Sequence, residues 1–451
     1  MNKNKKNWTL IGIITIMLFI FLLGYMQTTK NRDKERDTEQ IEDTIDAEGA
    51  TSEDDSGESG DINTSEMSEE VMPDDGLAEN ASLEGVEENT ENNESIADET
   101  ENIPSAPETD AQEKYIDFVM NSMSLHEKVC QMILPSFATL SGVKGAKISG
   151  DITKKALEDY PVSGIIYDSS NFETEEQTKQ MLDDVKQYTK IPLILTLDEE
   201  GGRVARLMPK FTDALIGPMF MYKSQGTETA YNNAAIIAGN ISKYGFNMDM
   251  APVADVWSNS ANTVIGDRAY SDDYDEAAEL VSAAVSGFHG GKIACTLKHF
   301  PGHGDTLEDS HYGAAYVGKT LDELRSGEFI PFKAGIDAGA DAVMIGHLIV
   351  SDISEEPALF SKEIVTDILR GELGFEGVVI TDSLQMKAMT DYYGEDEVAV
   401  RAIEAGCDIL LMPNDIGVTA GAIEKAVSNG RLSEERIDES VRRILRLKYS
   451  F

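Results

Sequence analysis

The chain has 451 residues, with 82 acidic and 38 basic side chains and a formal net charge of −44. So large an excess of negative charge repels a polyanion, which argues strongly against nucleic acid as a partner. The charge is unevenly spread, because residues 37–110 contain 27 acidic side chains and no Lys or Arg. The part from residue 111 onwards is long enough to bury one large core.

The chain begins with an apolar run over residues 9–26 that follows three lysines. As an α-helix this run would extend about 27 Å, close to the thickness of a bilayer core. We predict a short cytoplasmic tail over 1–8, a single transmembrane anchor over 9–26 and an extracellular remainder at a bacterial cell membrane. A cleaved signal peptide is the alternative, but the run is long for one and no A-x-A-like site follows it.

The segment that follows, residues 27–110, is predicted to be a disordered acidic linker. It contains few aromatic residues and no apolar periodicity, so it cannot bury enough surface to offset the entropy of ordering. Binding of cations or of a basic partner is the alternative to a solvated spacer. We therefore expect a tether between the membrane and the folded part.

Residues 111–451 alternate short, β-branched apolar runs with longer helical patterns. Apolar runs bounded by polar residues and followed by helices are typical of parallel strands covered by helices. Eight such units predict a single (β/α)8 TIM-type barrel, an α/β fold, with a doubly wound open sheet as the alternative. Against that alternative, no G-x-G-x-x-G follows a strand. The eight runs cover residues 131–137, 162–168, 191–198, 246–256, 292–300, 341–350, 377–384 and 407–415.

Polar side chains stand at the predicted carboxyl ends of these strands, where catalytic groups of such barrels lie. They are Asp198, Asp255, Lys298, His299, His347, Asp382 and Asp415. After the third strand, Gly201 and Gly202 indicate a tight turn, and we interpret the neighbouring Glu200 and Arg203 as scaffold.

The loop after the fifth strand, KHFPGHGDTLEDSHYGAA over residues 298–315, contains three of the six histidines of the chain. A metal site using His299, His303 and His311 is one interpretation, but neither H-E-x-x-H nor a cysteine partner is present. The other is an acid/base pair, because Asp309 and His311 are two residues apart and would project to one side of an extended segment. The three cysteines lie in apolar runs without metal-ligand spacing, and their odd number gives no disulfide framework.

The motifs LDEEGGRVARL (197–207), IGDRAYS (265–271), KHFPGHGDTLEDSH (298–311) and ITDSLQM (380–386) occur in this order. In these motifs the chain resembles the β-N-acetylglucosaminidase (β-N-acetylhexosaminidase) subfamily of glycoside hydrolase family 3, over essentially all of 115–451. The resemblance implies that Asp382 is the nucleophile, that His311 is the general acid/base and that Asp309 is its partner. It also implies sugar binding by five further residues, namely Asp198, Arg206, Arg268, Lys298 and His299.

The activity implied is that of a retaining exo-β-N-acetylglucosaminidase acting on peptidoglycan fragments or related glycans. The alternatives are a β-glucosidase or β-xylosidase of the same fold, a phosphorylase, or a surface barrel that binds sugars without catalysis. We expect a monomer with a carbohydrate substrate, no metal or organic cofactor, and an active site completed by the barrel alone.

Overall fold

The computed structural model describes residues 107–212, 215–306 and 315–451. The predicted tail, the predicted anchor, almost all of the predicted linker, and the residues Asp309 and His311 lie outside this part of the chain. Its first helix begins at Pro107, within the last residues of the predicted linker. In the described ranges, no helix combines the length and the apolar character needed to cross a bilayer.

Short strands, all paired in parallel, form the centre of the described fold. Each of the eight apolar runs contains at least one of them, as the sequence predicts. The strands are β1 (Ile133–Leu134), β2 (Gly164–Ile166), β3 (Ile194–Thr196), β4 (Met248–Asp249), β5 (Ala294–Phe300), β6 (Ala315–Val317), β7 (Ala342–Ile345), β8 (Leu348–Val350), β9 (Val378–Thr381) and β10 (Leu410–Leu411).

Eight of these strands are linked in succession by backbone hydrogen bonds or bridges. The order is β1, β2, β3, β4, β5, β7, β9 and β10, and β10 pairs again with β1. Because all pairs are parallel, their carboxyl ends lie on one side of the sheet, and this places the residues that follow the strands next to one another.

The sequence does not anticipate two of the strands, β6 and β8. They pair with each other in register, Ala315 with Leu348 and Val317 with Val350. The run 341–350, predicted as one strand, is thus divided into β7 and β8 around Gly346 and His347.

Helices connect and cover the strands. They are α1 (Pro107–Ser122), α2 (Leu125–Cys130), α3 (Phe137–Ser141), α4 (Asp151–Asp159), α5 (Glu175–Gln187), α6 (Met208–Phe211), α7 (Gly226–Ser242), α8 (Tyr274–Gly290), α9 (Leu321–Arg325), α10 (Phe329–Asp337), α11 (Lys387–Thr390), α12 (Glu395–Ala405), α13 (Ile416–Ser428) and α14 (Glu434–Lys448). A π-helix occupies Glu363–Glu372, and four 3₁₀ turns lie at Ser169–Asn171, Met219–Gln225, Gly266–Arg268 and Ala358–Phe360.

Local sequence signals explain where helices begin and which side they bury. Ser124 and Glu127 form a capping box at the start of α2, with each side chain bonded to the backbone of the other residue. In α5 the buried residues Thr178, Met181, Leu182 and Val185 stand at positions i, i+3, i+4 and i+7, so one side of the helix faces the core. All seven residues of β5 are buried, as expected of a strand covered on both faces.

The first and last described helices, α1 and α14, pack together. Glu113 accepts hydrogen bonds from Arg446 at 2.6 and 2.9 Å, and Asp117 accepts one from Arg442 at 2.6 Å. The rings of Tyr115 and Tyr449 meet edge to face, with 5.2 Å between their centroids. The α1 helix is therefore attached to the folded part by the chain's own carboxyl-terminal helix.

Candidate active site

A cavity of about 840 Å³ opens where the carboxyl ends of the strands meet. Of the eight residues implied by the resemblance, the six that the structure describes all line it: Asp198, Arg206, Arg268, Lys298, His299 and Asp382. The positions come from four regions of the sequence and are brought together by the parallel strands. Asp309 and His311 are outside the described residues, so their position relative to the cavity stays a prediction.

Lys298, on β5, is the centre of an ion-pair network in the cavity wall. Its buried Nζ donates to Oδ1 of Asp198 at 2.8 Å and to Oε1 of Glu200 at 2.6 Å. Arg268 binds the same Glu200 through two parallel hydrogen bonds of 2.8 Å, from Nε to Oε2 and from Nη2 to Oε1. Such a bidentate pair fixes the plane of the guanidinium as well as its position.

The network keeps its members charged although they are buried. Burial raises the pKa of Glu200, but the charges of Arg268 and Lys298 outweigh it and hold this pKa well below its usual value. Burial lowers the pKa of Lys298, whereas the carboxylates of Asp198 and Glu200 raise it, and the net shift is upward. The wall therefore presents fixed charges and hydrogen-bond donors that need little reorganisation when a polar ligand enters.

Arg206 lies at the edge of the cavity on a loop that Glu199 holds in place. The buried carboxylate of Glu199 accepts the backbone N–H groups of Arg206, Leu207 and Met208 at 2.8, 2.7 and 3.1 Å. The guanidinium of Arg206 is half-buried, with Nη2 at 3.9 Å from Oδ2 of Asp198. This geometry leaves both side chains directed at the same region of the cavity.

The turn before this loop contains the two glycines singled out in the sequence. Gly201 and Gly202 have φ angles of +88° and +59°, and a Cβ on Gly202 would lie 2.7 Å from Cα of Pro218. The tight turn is thus as predicted, and only glycine combines this conformation with so close an approach.

His299 is oriented by a buried aspartate on the preceding strand connection. Oδ2 of Asp255 lies 2.7 Å from Nδ1 of His299 and accepts the backbone N–H of the same residue at 3.1 Å. Its other oxygen accepts the N–H of His303 at 2.7 Å. Although burial opposes ionisation, the charge and the hydrogen bond of His299 hold the pKa of Asp255 below its usual value. The contact directs the remaining ring nitrogen, Nε2, away from Asp255.

Asp382 follows β9 directly and belongs to the cavity wall. Its backbone N–H donates to the carbonyl of Ile345 on β7 at 2.9 Å, and its Oδ1 accepts the N–H of Ser383 at 2.7 Å. His347 contacts the carbonyl of Ser383 through Nε2 at 2.8 Å. The carboxylate is therefore carried by rigid, doubly supported backbone, which is what a reacting group requires.

The cavity wall also contains apolar side chains. Met344, Met386, Leu411 and Met412 line it, together with Ile166. A cavity lined by both ionic groups and methionine side chains matches the two kinds of surface that a pyranose ring offers, hydroxyl groups at its edge and C–H groups on its faces.

Both residues that the sequence places in the scaffold, Glu200 and Arg203, line the cavity. There Glu200 holds the side chains of Lys298 and Arg268 in place. In the sequence, Glu200 is the third of three consecutive acids in LDEEGG, and nothing there distinguishes its role from that of Glu199. The guanidinium of Arg203 donates to the backbone carbonyls of Thr263 and Val264, both at 2.8 Å.

Comparison with known proteins gives a consistent assignment. Residues 124–447 match the Glycosyl hydrolase family 3 N terminal domain. A beta-hexosaminidase of Stenotrophomonas maltophilia (strain K279a) is 37% identical over 278 residues, which cover 60% of this chain and 82% of that protein. A beta-hexosaminidase of Xylella fastidiosa (strain M23) is also 37% identical, over 279 residues with the same coverage.

Among solved structures, this chain is similar to a glycoside hydrolase family 3 beta-N-acetylglucosaminidase from Paenibacillus sp. str. FPU-7. The TM-score is 0.69 at 36% identity, over 73% of this chain and 63% of that one, so less than two thirds of that protein is represented here. A glycosyl hydrolase of the same family from Mycobacterium smegmatis str. MC2 155 has a TM-score of 0.64 at 27% identity, over 72% of this chain and 97% of that one.

A parallel α/β fold with a charged, sugar-sized cavity at the carboxyl ends of its strands, together with these relatives, defines a glycoside hydrolase. The chain belongs to glycoside hydrolase family 3. The family predicted from the sequence motifs is confirmed.

Proposed function

We propose that this protein is a retaining exo-β-N-acetylglucosaminidase that removes terminal β-linked N-acetylglucosamine from peptidoglycan fragments or related glycans. The observation that carries the proposal is the convergence of Asp382 with Lys298, Asp198 and Arg268 on one cavity. The names of its relatives, beta-hexosaminidase and beta-N-acetylglucosaminidase, support the choice of substrate.

In the proposed complex, the ionic side of the cavity holds the hydroxyl groups of the terminal sugar. Lys298 and Arg206 donate hydrogen bonds, Asp198 accepts them, and His299 presents the nitrogen that is not directed at Asp255. Because Glu200 already holds Lys298 and Arg268 in place, binding does not have to order these long side chains.

In the first chemical step, the carboxylate of Asp382 attacks the anomeric carbon and forms a covalent glycosyl-enzyme. The glycosidic C–O bond breaks, and the imidazolium of His311 gives its proton to the departing oxygen. Asp309 keeps the ring in the required tautomer.

In the second step, the neutral imidazole of His311 removes a proton from water as the water attacks the same carbon. The bond to Asp382 breaks, and free sugar leaves with its original anomeric configuration. A histidine suits both steps near neutral pH, since its ordinary pKa of about 6.5 lies close to the working range.

For the rest of the molecule, we infer that the α/β fold is a closed (β/α)8 barrel that acts as a monomer. The run 9–26 is proposed to anchor it in the cell membrane. The acidic segment up to the start of α1, residues 27–106, is proposed to carry the catalytic part away from the surface on the outside of a bacterium. The length and charge of these segments in the sequence support this arrangement.

Release of chromophore from an aryl β-N-acetylglucosaminide by the full chain tests the proposal. We expect turnover by the wild type and a loss of at least about 10³-fold in Asp382→Asn, which keeps the shape of the side chain but cannot act as nucleophile. If both proteins bind the sugar and neither releases chromophore, the chain is a sugar-binding protein and the catalytic proposal is wrong.

Product analysis separates hydrolysis from transfer to phosphate. The same assay on a natural oligosaccharide, with and without inorganic phosphate, should give free N-acetylglucosamine in both cases. A sugar 1-phosphate formed only with phosphate would identify a phosphorylase. Preferential release from glucosides or xylosides would identify a β-glucosidase or a β-xylosidase.

A further inference from the structure

A cluster of three metal-ligating side chains lies at the end of the strands opposite the active-site cavity. His289 is in the last turn of α8, Cys295 is the second residue of β5, and Asp341 directly precedes β7. One ligand atom of each, an imidazole nitrogen, the thiol sulfur and a carboxylate oxygen, lies within 4.8 Å of the other two. In the described ranges no other such group of three converges this closely.

We propose that His289, Cys295 and Asp341 form a binding site for a divalent metal ion of the zinc class, separate from the catalytic centre. A nitrogen, a thiolate and a carboxylate oxygen are the ligand types that zinc takes, with a water molecule in the fourth position.

The fold directs the three side chains at one another. Leu297 packs against α10, since a Cβ built on Gly335 would lie 2.7 Å from its methyl groups. Cys295, two residues earlier on the same strand, therefore faces the helix layer as well. Asp341 reaches this side too, because its Oδ2 accepts the backbone N–H of Cys295 at 2.9 Å and lies 2.8 Å from Nε2 of His289.

Position and exposure favour a cation here. The site is at the carboxyl end of the 17-residue α8, where the helix dipole is negative. The thiol is buried, whereas the side chains of His289 and Asp341 are 38% and 21% exposed, which provides a route from solvent. Tetrahedral zinc places its ligand atoms about 3.5 Å apart. Nε2 of His289 and Oδ2 of Asp341, now 2.8 Å apart, would separate by roughly 0.7 Å, and the more distant ligand atoms would approach one another by about 1 Å. Binding releases the thiol proton to solvent.

The sequence does not reveal this site because its ligands are not arranged in a zinc-binding spacing. Cys295 is six residues after His289, and Asp341 is 46 residues further on. Only the parallel pairing of β5 with β7 brings them together.

The test is titration of the metal-free full chain with Cd²⁺ or Co²⁺. Binding is monitored by the ultraviolet charge-transfer absorption band of the metal–thiolate bond. We expect a single saturable band in the wild type and its loss in Cys295→Ser. His289→Gln and Asp341→Asn should each bind the metal at least about tenfold more weakly, since even residues that only support the ligands change metal affinity by this factor. Hydrolysis of the aryl glycoside should be unchanged in Cys295→Ser, because the cluster is not part of the cavity.

Cys407→Ser is the matched control, because Cys407 is equally buried and, among the described residues, its sulfur donates only to the carbonyl of Leu359, at 4.0 Å. Its band should equal that of the wild type. Absence of a thiolate band in the folded wild type, persistence of the band in Cys295→Ser, or its loss in Cys407→Ser would each overturn the proposal. None of these outcomes bears on the hydrolase function, which is measured separately.

Discussion

At the scale of single residues, the centre of the cavity depends on one carboxylate shared by two buried cations. Glu200 is only 4% exposed, and it neutralises Lys298 and Arg268 at distances of 2.6 to 2.8 Å. A buried ion pair contributes little net stability, but removing one partner leaves an uncompensated charge in a medium of low polarity. The cost of losing Glu200 should therefore exceed that of losing a surface acid many times over.

Glu200→Gln is expected to lower the free energy of unfolding by about 3–5 kcal/mol and to reduce kcat/KM, because both cations lose their anchor. Asp267→Asn is the control. Asp267 pairs with Arg203 at 3.1 Å, but both side chains are nearly half exposed, so the change should be at most about 1 kcal/mol. Urea unfolding of both variants measures the difference, and equal losses would contradict the buried-charge argument.

Asp255→Ala is expected to act through His299. Without the carboxylate, the ring loses the contact that sets its orientation, and misplacement of a binding group by about 1 Å can reduce turnover about 10²-fold. Asp255→Asn keeps one acceptor for the ring and should recover part of kcat/KM. Steady-state kinetics on both variants is the measurement, and equal activity in all three proteins would rule out a positioning role.

How much of the site the sequence predicts depends on what each residue does. Asp198, Lys298 and Asp382 can be placed because strand ends of a parallel fold converge, so position along the chain predicts position in space. Glu200 could not be assigned in this way, since its role depends on Arg268, a residue 68 positions away. Whether a residue binds the ligand, supports a neighbouring residue or belongs to the scaffold can be decided only from interatomic distances.

At the scale of elements, a close contact between two backbone segments requires glycine at position 304, in the segment after β5. A Cβ on Gly304 would lie 1.7 Å from the carbonyl oxygen of Val256, so the two backbone segments touch. The same contact region contains the hydrogen bond of 2.7 Å from the side chain of Asn262 to the carbonyl of His303. The loop that follows β4 is thus packed directly on the loop that follows β5.

Gly304→Ala should therefore separate these two loops. We expect a loss of stability of more than about 2 kcal/mol, together with reduced activity, because a methyl group cannot be accommodated beside backbone. Gly318→Ala is the control, since a Cβ there has no atom within 4 Å among the residues described. Thermal unfolding compares the two, and a tolerated Gly304→Ala would show that the loops are free to move apart.

The elements themselves were predictable to different degrees. Eight apolar runs identify eight strand positions because a buried parallel strand needs a continuous apolar sequence. Residues 315–317 (Ala-Tyr-Val) escape this rule, because β6 is only three residues long and its central tyrosine is exposed. The division of 341–350 was equally hidden, since Gly346 and His347 interrupt an otherwise apolar run only briefly.

At the scale of the whole molecule, stability should depend on pH through buried acids shifted in opposite directions. Glu200 and Asp255 have lowered pKa values, so their stabilisation is complete above their unfolded pKa values of about 4 and is lost as the pH falls. Asp249 behaves oppositely. Burial, and then the neighbouring Glu199, raise its pKa well above the usual value, so stability decreases as the pH rises from its unfolded pKa towards its folded one.

Asp249→Asn isolates the contribution of Asp249, because an amide resembles the neutral acid. Its oxygen can still accept the backbone N–H of Glu199, which in the wild type donates to Oδ1 of Asp249 at 3.0 Å. Relative to the wild type, the variant should gain stability with rising pH, by up to about 1.4 kcal/mol per pH unit between the two pKa values of Asp249. Urea unfolding at several pH values measures this. A difference that does not change with pH would show that Asp249 is ionised in the folded protein.

The packing of α1 on α14 has a mechanical consequence. Any tension arriving along the chain from before residue 107 enters the fold through α1, and it meets several contacts to the carboxyl-terminal helix at once. Each ion pair alone is weak at a surface. Loaded side by side, however, these contacts share the force, so the packing of α1 on α14 resists shear better than any one of its bonds.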